Sequence, residues 1–151
     1  MLATDFSPAG LEQLRDAAKA EGVAERVATV VHDVREPLPL ASASVDAVFA
    51  HMLLCMALSS EEIRSLVAEV RRVLRPGGVF VYTVRHTGDV HYLAGTGHGD
   101  GIWEHGGFAV HFFSRDMVDT LAGGWSLQEV HPFEEGSLPR RLWRVTQALP
   151  R

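Results

Sequence analysis

The sequence of 151 residues predicts an α/β fold with a mostly parallel sheet, helices on both faces and a C-terminal antiparallel hairpin. Two observations predict this fold, one for its parallel part and one for its hairpin. Apolar, β-branched runs alternate with helical patterns along the chain, and such runs are typical of strands buried on both faces. The last part of the chain instead holds two extended segments joined by a short connection, which favours a hairpin.

The first helix is predicted from its start and stop signals. Ser7 is suited to cap the N-terminus, Pro8 to occupy the first helical position and Gly22 to end the helix. Strands are predicted on either side of it, at Leu2–Asp5 and Val27–Val31. This order of elements is that of a parallel crossover unit.

The second helix carries the clearest pattern in the chain. Ser59 and Glu62 have the spacing of a capping box, and apolar residues follow with helical periodicity. The run Arg75–Gly78 ends the helix, because it holds a proline and two glycines. Strands predicted at Val45–Ala50 and Val79–Val84 flank this helix and complete a second crossover unit.

The later part of the chain has weaker signals. Residues 86–110 are rich in glycine and histidine without a clear period, which predicts a loop that closes over a substrate pocket. Three of the histidines recur every seven residues, but no carboxylate-rich ligand set accompanies them, so no metal site is predicted. Ser114 is suited to cap a short helix to Ala122, and the final hairpin is predicted from Trp125–Glu134 and Arg141–Leu149.

Composition bounds the class of protein. The length and the absence of a linker predict a single domain, 1–151, and the net charge of −5 argues against a nucleic-acid partner. Cys55 is the only cysteine, which excludes an internal disulfide and multi-thiolate zinc sites, and we interpret it as a small buried hydrophobic residue. The sequence shows no signal peptide or apolar segment of about 18 residues, so we expect a cytoplasmic protein without a membrane partner.

Candidate ligand-binding residues follow three of the predicted parallel strands, where ligands of open α/β sheets bind. Asp5 is suited to accept hydrogen bonds from ribose hydroxyls, or alternatively to lie beside the next helix N-terminus. Asp33 is suited to accept from an exocyclic amine while the Val34 amide donates to a ring nitrogen, or alternatively to cap the following loop. His51 and Met52 follow the third strand. Their order at successive strand ends favours a nucleotide site.

At these positions the sequence resembles the class I S-adenosylmethionine-dependent methyltransferases. The resemblance spans nearly the whole chain and rests on four runs: Thr4–Ser7, His32–Pro39, Ser44–Phe49 and Leu74–Gly78. It implies a Rossmann-like fold, S-adenosylmethionine as cofactor, and methyl transfer to a small-molecule acceptor through proximity and orientation. The segment His105–Arg144 is similar to the branch that includes tellurite-resistance-type methyltransferases.

The resemblance also implies where the cofactor binds. The ribose is expected at the end of the first strand, the adenine at the end of the second, and the sulfonium near the end of the third. The implied cofactor-binding residues are Asp5, Phe6, Asp33, Val34, His51 and Met52.

Catalytic candidates come from the histidine-rich stretch. His86, Tyr92, Trp103 and His111 are suited to contact or deprotonate an acceptor. The alternative is that aromatic side chains of this stretch anchor it to the core. We prefer that interpretation for the phenylalanines at 108, 112 and 113.

The chain departs from the family pattern at its beginning, where no strand and glycine-rich loop precede Leu2–Asp5. The glycines at 95–101 have no strand–helix context and are rejected as a substitute. We therefore hypothesise an N-terminally truncated or mis-started product whose strands ending at Asp5 and Ala50 have open edges. Two other classes stay open: a non-catalytic remnant that associates through that edge, as in a homo-oligomer, and an NAD(P)-dependent oxidoreductase. The terminal hairpin and the Arg75–Gly78 turn disfavour the oxidoreductase.

Overall fold

The computed structural model describes all residues, 1–151, in two compact units, 1–39 and 40–151. The strands are β1 (Leu2–Asp5), β2 (Ala28–Val31), β3 (Val45–His51), β4 (Leu74–Arg85), β5 (Thr96–Gly99), β6 (Ile102–His105), β7 (Phe108–His111), β8 (Ser126–Glu135) and β9 (Arg140–Ala148). The α-helices are α1 (Pro8–Ala20), α2 (Ser60–Val73) and α3 (Arg115–Leu121). The predicted α/β fold class is confirmed, and the assignment of residues 1–151 to a single domain stays a prediction.

The first unit is a parallel strand–helix–strand unit, as predicted. β1 pairs with β2 over its whole length, from Leu2 opposite Ala28 to Asp5 opposite Val31. The Ser7 hydroxyl accepts a hydrogen bond from the Gly10 amide at 3.1 Å and so caps α1. β1 has no strand partner other than β2.

The second unit contains a four-stranded sheet in the order β3-β4-β9-β8. β3 and β4 are parallel, and β9 runs antiparallel to both of its neighbours, which confirms the C-terminal hairpin. α2 connects the parallel pair and begins at a complete capping box, in which the Ser59 hydroxyl accepts from the Glu62 amide at 3.2 Å and the Glu62 carboxylate from the Ser59 amide at 2.8 Å.

The boundary between α2 and β4 differs from the prediction. The run Arg75–Gly78 ends the helix as expected, but it belongs to β4 and does not form a turn before it. The pairing register shifts between Val45 and Ala47 opposite this run, so the extra residues form a bulge in the strand. A Cβ atom on Gly78 would lie 2.8 Å from the Arg75 carbonyl oxygen, which explains the need for glycine there.

The core of the second unit lies between α2 and the sheet. The side chains of α2 that it buries are Ile63, Leu66, Val67, Val70 and Val73. Phe80, Tyr82 and Val84 of β4 are fully buried. Cys55 is also fully buried, which confirms its interpretation as a small core residue, and burial raises the pKa of its thiol.

Gln147 is a polar side chain within this apolar core. It lies on β9 opposite Phe80, is fully buried, and has no hydrogen-bond partner for its amide nitrogen or oxygen. A buried polar group without a partner costs about 1–3 kcal/mol. We therefore expect Gln147→Leu, which keeps the volume, to raise the free energy of unfolding in urea by about 1–3 kcal/mol.

The matched control for this substitution is Gln13→Leu, because Gln13 is exposed on α1. It should change the free energy of unfolding by less than about 0.5 kcal/mol. A Gln147→Leu variant less stable than the parent would contradict this account of the core.

The expectation of an irregular loop at residues 86–110 was wrong for its second half. β5, β6 and β7 form a three-stranded antiparallel meander. Its first turn, Gly99–Gly101, and its second, at Gly106 and Gly107, have positive φ at every residue. The glycines therefore act as tight hairpin turns between very short strands, and strands of four residues are too short to show a period.

None of the helices has both the length and the apolar character needed to cross a membrane.

Candidate functional site

The second unit contains a cavity of about 830 Å³, which we call the large cavity. It opens at the carboxyl ends of the parallel strands β3 and β4, and the meander and the β8–β9 turn contribute further walls. Ligands of open α/β sheets bind at this end of the strands. The lining residues that the argument below uses are His51, Met52, Arg85, Trp103, Phe108, Phe112, Glu135, Ser137 and Arg140.

The end of β3 is fixed by Thr83 of the neighbouring strand. The Thr83 hydroxyl oxygen accepts from the Met52 amide at 3.0 Å and lies 2.8 Å from Nδ1 of His51. Met52 has a φ of +53°, so the chain bends sharply directly after the strand. Nε2 of His51 lies 3.7 Å from a carboxylate oxygen of Glu135. The imidazole is therefore held at one nitrogen and paired with a carboxylate at the other.

The end of β4 carries a buried ion pair. Nε of Arg85 donates to one carboxylate oxygen of Asp89 at 3.2 Å, and Nη2 donates to the other at 2.7 Å. The backbone amides of His91 and Arg141 also donate to this carboxylate, each at 2.8 Å. Burial by itself raises the pKa of Asp89, but these hydrogen bonds outweigh it and lower the pKa to about 2. Asp89 is therefore a fixed anion under the large cavity.

Aromatic side chains form the apolar part of the large cavity. Trp103 of β6 and Phe108 of β7 line it, as does Phe112, whose ring lies 5.1 Å from the Arg85 guanidinium carbon. The preferred core interpretation is confirmed for the buried Phe112 and Phe113 but was wrong for Phe108, which is 72 % exposed. A few polar groups within aromatic walls are typical of small-molecule sites.

The predicted ribose ligand lies at the end of β1. One carboxylate oxygen of Asp5 accepts from the Ser7 amide at 2.7 Å, and the other accepts no hydrogen bond within the protein. The neighbouring Phe6 is exposed. Asp5 thus combines both interpretations, since it lies beside the start of α1 and still presents an open acceptor of the kind that ribose hydroxyls need.

The predicted adenine ligands follow β2. The Arg35 side chain donates to both carboxylate oxygens of Asp33, at 2.6 to 3.1 Å, and these hydrogen bonds lower the pKa of Asp33 to about 2. The Val34 amide makes no hydrogen bond within the protein. Asp33 also accepts from the Arg35 amide at 3.0 Å, as the alternative of a loop cap predicts. The unpaired Val34 amide is a donor that fits a ring nitrogen of adenine, so together with the open acceptor of Asp5 the residues present fit S-adenosylmethionine.

Two of the predicted catalytic residues lie at a different cavity. Tyr92 and His111 line a space of about 330 Å³. His111 is almost fully buried, and its Nδ1 lies 2.7 Å from the carbonyl oxygen of Leu58. Neither residue lines the large cavity.

The third predicted catalytic residue, His86, lines neither of these two cavities. Its ring stacks on Trp143 with the ring centres 4.4 Å apart and an interplanar angle of 10°. Burial lowers the pKa of His86. Of the four candidates, only Trp103 lines the large cavity, so the structure does not bring them together. The catalytic role of His86, Tyr92 and His111 stays a prediction.

Residues 1–82, more than half of the chain, match the family described as the methyltransferase domain. The chain belongs to this family. It is a class I S-adenosylmethionine-dependent methyltransferase, and S-adenosylmethionine is its cofactor. No curated protein sequence matches the chain.

Solved structures show the same fold. An S-adenosylmethionine-dependent methyltransferase from Methanosarcina mazei is similar with a TM-score of 0.83 at 15% identity, over 99% of this chain and 81% of that one. The methyltransferase CcbJ from Streptomyces caelestis has a TM-score of 0.74 at 19% identity, over 99% and 74%. The N-methyltransferase NodS from Bradyrhizobium japonicum, in complex with S-adenosyl-L-homocysteine, has a TM-score of 0.68 at 12% identity, over 99% and 66%. These matches confirm the Rossmann-like methyltransferase fold.

Sequence reasoning missed the charged residues of the large cavity and the carboxylate beneath it. Arg85 ends the strand β4, so it occupies the same kind of position as Asp5 and His51, and that position was an available signal. Asp89 and Arg140 carried no comparable signal. No group of three or more His, Cys, Asp or Glu side chains is arranged to hold a metal ion.

Proposed function

We propose that this methyltransferase transfers the methyl group of S-adenosylmethionine to a small-molecule acceptor bound in the large cavity. The observation that carries the proposal is the position of His51 and Met52. The family resemblance assigns both residues to the neighbourhood of the sulfonium, and both line a cavity of about 830 Å³ with aromatic walls. That volume lies within the range of small-molecule sites, about 300–1,000 Å³.

The chain's own residues bind and orient the two reactants. Asp5 accepts from the ribose hydroxyls, with Phe6 beside it, while Asp33 and the Val34 amide hold the adenine. The cofactor supplies an electrophilic methyl group on a sulfonium. His51 and Met52 place the acceptor's nucleophilic atom next to it, and proximity and orientation provide most of the acceleration.

A proton must leave when the acceptor is a hydroxyl or an amine. His51 is placed to take it, because its Nε2 faces the Glu135 carboxylate at 3.7 Å and both groups line the large cavity. This assignment moves the acid–base role from the predicted His86, Tyr92 and His111 to His51.

The test is transfer of a labelled methyl group from S-adenosylmethionine to a panel of small phenols, amines and carboxylic acids. We expect Ser137→Trp to lower the transfer rate at least tenfold, because an indole at this lining position takes up space that the acceptor needs in the large cavity. The cofactor affinity should stay unchanged, since Ser137 is none of the proposed cofactor ligands.

The matched control is Ser126→Trp, because Ser126 is exposed on β8 and does not line the large cavity. It should keep the parent transfer rate. Equal rates for the two tryptophan variants would contradict the assignment of the acceptor to the large cavity.

A second candidate function is that of a non-catalytic remnant which associates through a sheet edge. One observation favours it: β3 has no strand partner other than β4, and Phe49 on this strand is 67 % exposed. A dimeric mass together with no methyl transfer to any member of the panel would favour the remnant over the enzyme.

A further inference from the structure

We propose that the acceptor is a small carboxylate with an aromatic or apolar body, and that Arg85 binds its anionic group. This inference rests on the proposed function and names the substrate class of the same cavity. Arg85 is then a specificity-determining residue that selects acceptors by charge.

Arg85 is a fixed side chain with donors left over. A guanidinium has five N–H donors, and Arg85 directs one from Nε and one from Nη2 to Asp89, while Nη2 also lies 2.9 Å from Nδ1 of His91. Nη1 makes no hydrogen bond within the protein, and it is not fully enclosed by other atoms. Arg85 is one of the side chains that line the large cavity, and its Nη1 hydrogens are the donors that it has available for a ligand there.

The ion pair with Asp89 does not use the whole guanidinium of Arg85. Asp89 already accepts from two backbone amides besides Arg85, and it does not line the large cavity. It therefore holds the guanidinium in one orientation and leaves Nη1 open. Rigid, partly desolvated donors of this kind favour anionic oxygens over neutral ones.

Two arginines and two carboxylates lie at or under the large cavity. Arg85 and Arg140 line it with a single carboxylate, Glu135, although the chain as a whole has a net charge of −5. Glu135 lies beside His51. Asp89 balances the charge of Arg85, so an anionic acceptor finds here the Nη1 donors of Arg85 and the guanidinium of Arg140 rather than an excess of positive charge.

The walls define the rest of the acceptor. Trp103, Phe108 and Phe112 offer ring faces and edges, and Phe112 lies directly under the Arg85 guanidinium. A carboxylate on a small ring or apolar body places its charge on Arg85 and its body against these side chains.

In the transfer, the bond between the methyl carbon and sulfur breaks and its electron pair stays on sulfur. The new bond forms to the acceptor's nucleophilic atom, and His51 takes the proton when that atom carries one.

The test compares two probes of nearly equal shape, 4-hydroxybenzoate and its neutral analogue 4-hydroxybenzamide. Binding of each to the full chain is measured by calorimetry with S-adenosylhomocysteine present. We expect the parent protein to bind the carboxylate at least tenfold more tightly than the amide. Arg85→Gln should bring the two affinities within about threefold of each other, mainly by weakening the carboxylate.

Two further variants separate binding from folding. Arg85→Gln alone leaves the Asp89 carboxylate buried and unpaired, which destabilises the fold. The double variant Arg85→Gln, Asp89→Asn removes both charges of the ion pair, and it should also lose the preference for the carboxylate probe. Arg144→Gln is the control, because Arg144 pairs with Glu129 at exposed positions outside the large cavity. It should keep the full preference for the carboxylate.

The outcomes distinguish this inference from the proposed function. Three outcomes would overturn the inference that Arg85 selects a carboxylate. They are equal affinity of the parent for the two probes, a preference that survives in the double variant, and binding of neither probe. Labelled methyl transfer to neutral acceptors in the same preparation would leave the proposed function standing. A retained carboxylate preference without cofactor binding would instead count against the proposed function.

Discussion

Asp89→Ala is expected to lower the free energy of unfolding by about 3–5 kcal/mol, the range for removing one partner of a buried ion pair. The substitution leaves Arg85 buried without its counterion and removes the acceptor of two backbone amides, those of His91 and Arg141. Urea denaturation followed by circular dichroism measures the change.

The chain offers a matched control for this substitution. Arg115 and Asp119 form an ion pair with the same spacing of four residues, but both side chains are about half exposed. Asp119→Ala should lower the free energy of unfolding by less than about 1 kcal/mol, because exposed ion pairs contribute little. Similar losses for the two alanine variants would contradict the role given to burial at Asp89.

The same carboxylate predicts how stability depends on pH. The pKa of Asp89 falls from 3.8 to about 2 on folding, so the folded state binds fewer protons than the unfolded state in this interval. The contribution, about 2 kcal/mol, is present above pH 4 and is lost as the pH falls towards 2. In Asp89→Asn this part of the acid dependence should disappear, and an unchanged pH profile would contradict the assignment.

Asp5→Ala is expected to weaken binding of S-adenosylmethionine by about 10- to 100-fold, which corresponds to the loss of hydrogen bonds to a charged group. The reason is the carboxylate oxygen of Asp5 that accepts no hydrogen bond within the protein. Calorimetry with the cofactor measures the change. Asp5→Asn, which keeps a neutral acceptor at this position, should weaken binding less than Asp5→Ala.

The control for this prediction is Asp16→Ala, because Asp16 is exposed on α1 and lies away from the strand end. Its cofactor affinity should equal that of the parent. Asp5→Ala also removes the hydrogen bond from the Ser7 amide, so its free energy of unfolding is measured alongside. An unchanged affinity in a folded Asp5→Ala variant would remove Asp5 from the cofactor site.

Local chemistry made most of the elements predictable. Ser7 and Ser59 cap their helices through bonds that short-range spacing specifies, and the β-branched strands are recognisable because both of their faces are apolar. The meander of β5, β6 and β7 was missed because its strands have four residues each and its signal lies in the turn glycines. Glycine-rich sequence is read as a loop unless the glycines are recognised as hairpin turns.

The candidate site was predictable only where it follows strand ends. Asp5, Asp33 and His51 could be selected because each follows a predicted parallel strand. The Arg85–Asp89 pair depends on tertiary structure instead, since its carboxylate accepts from the amide of Arg141, 52 residues further along the chain. The placement of Tyr92 and His111 at the smaller cavity likewise follows from packing that no local pattern specifies.

Titration of the unmodified full chain with S-adenosylmethionine in a calorimeter tests the central claim most directly. The account predicts saturable binding of one cofactor per chain at micromolar affinity. It also predicts that binding is weakened by Asp5→Ala and left intact by Ser137→Trp, which narrows the large cavity. An absence of saturable binding by the folded chain, or binding of NADH in preference to S-adenosylmethionine, would contradict it.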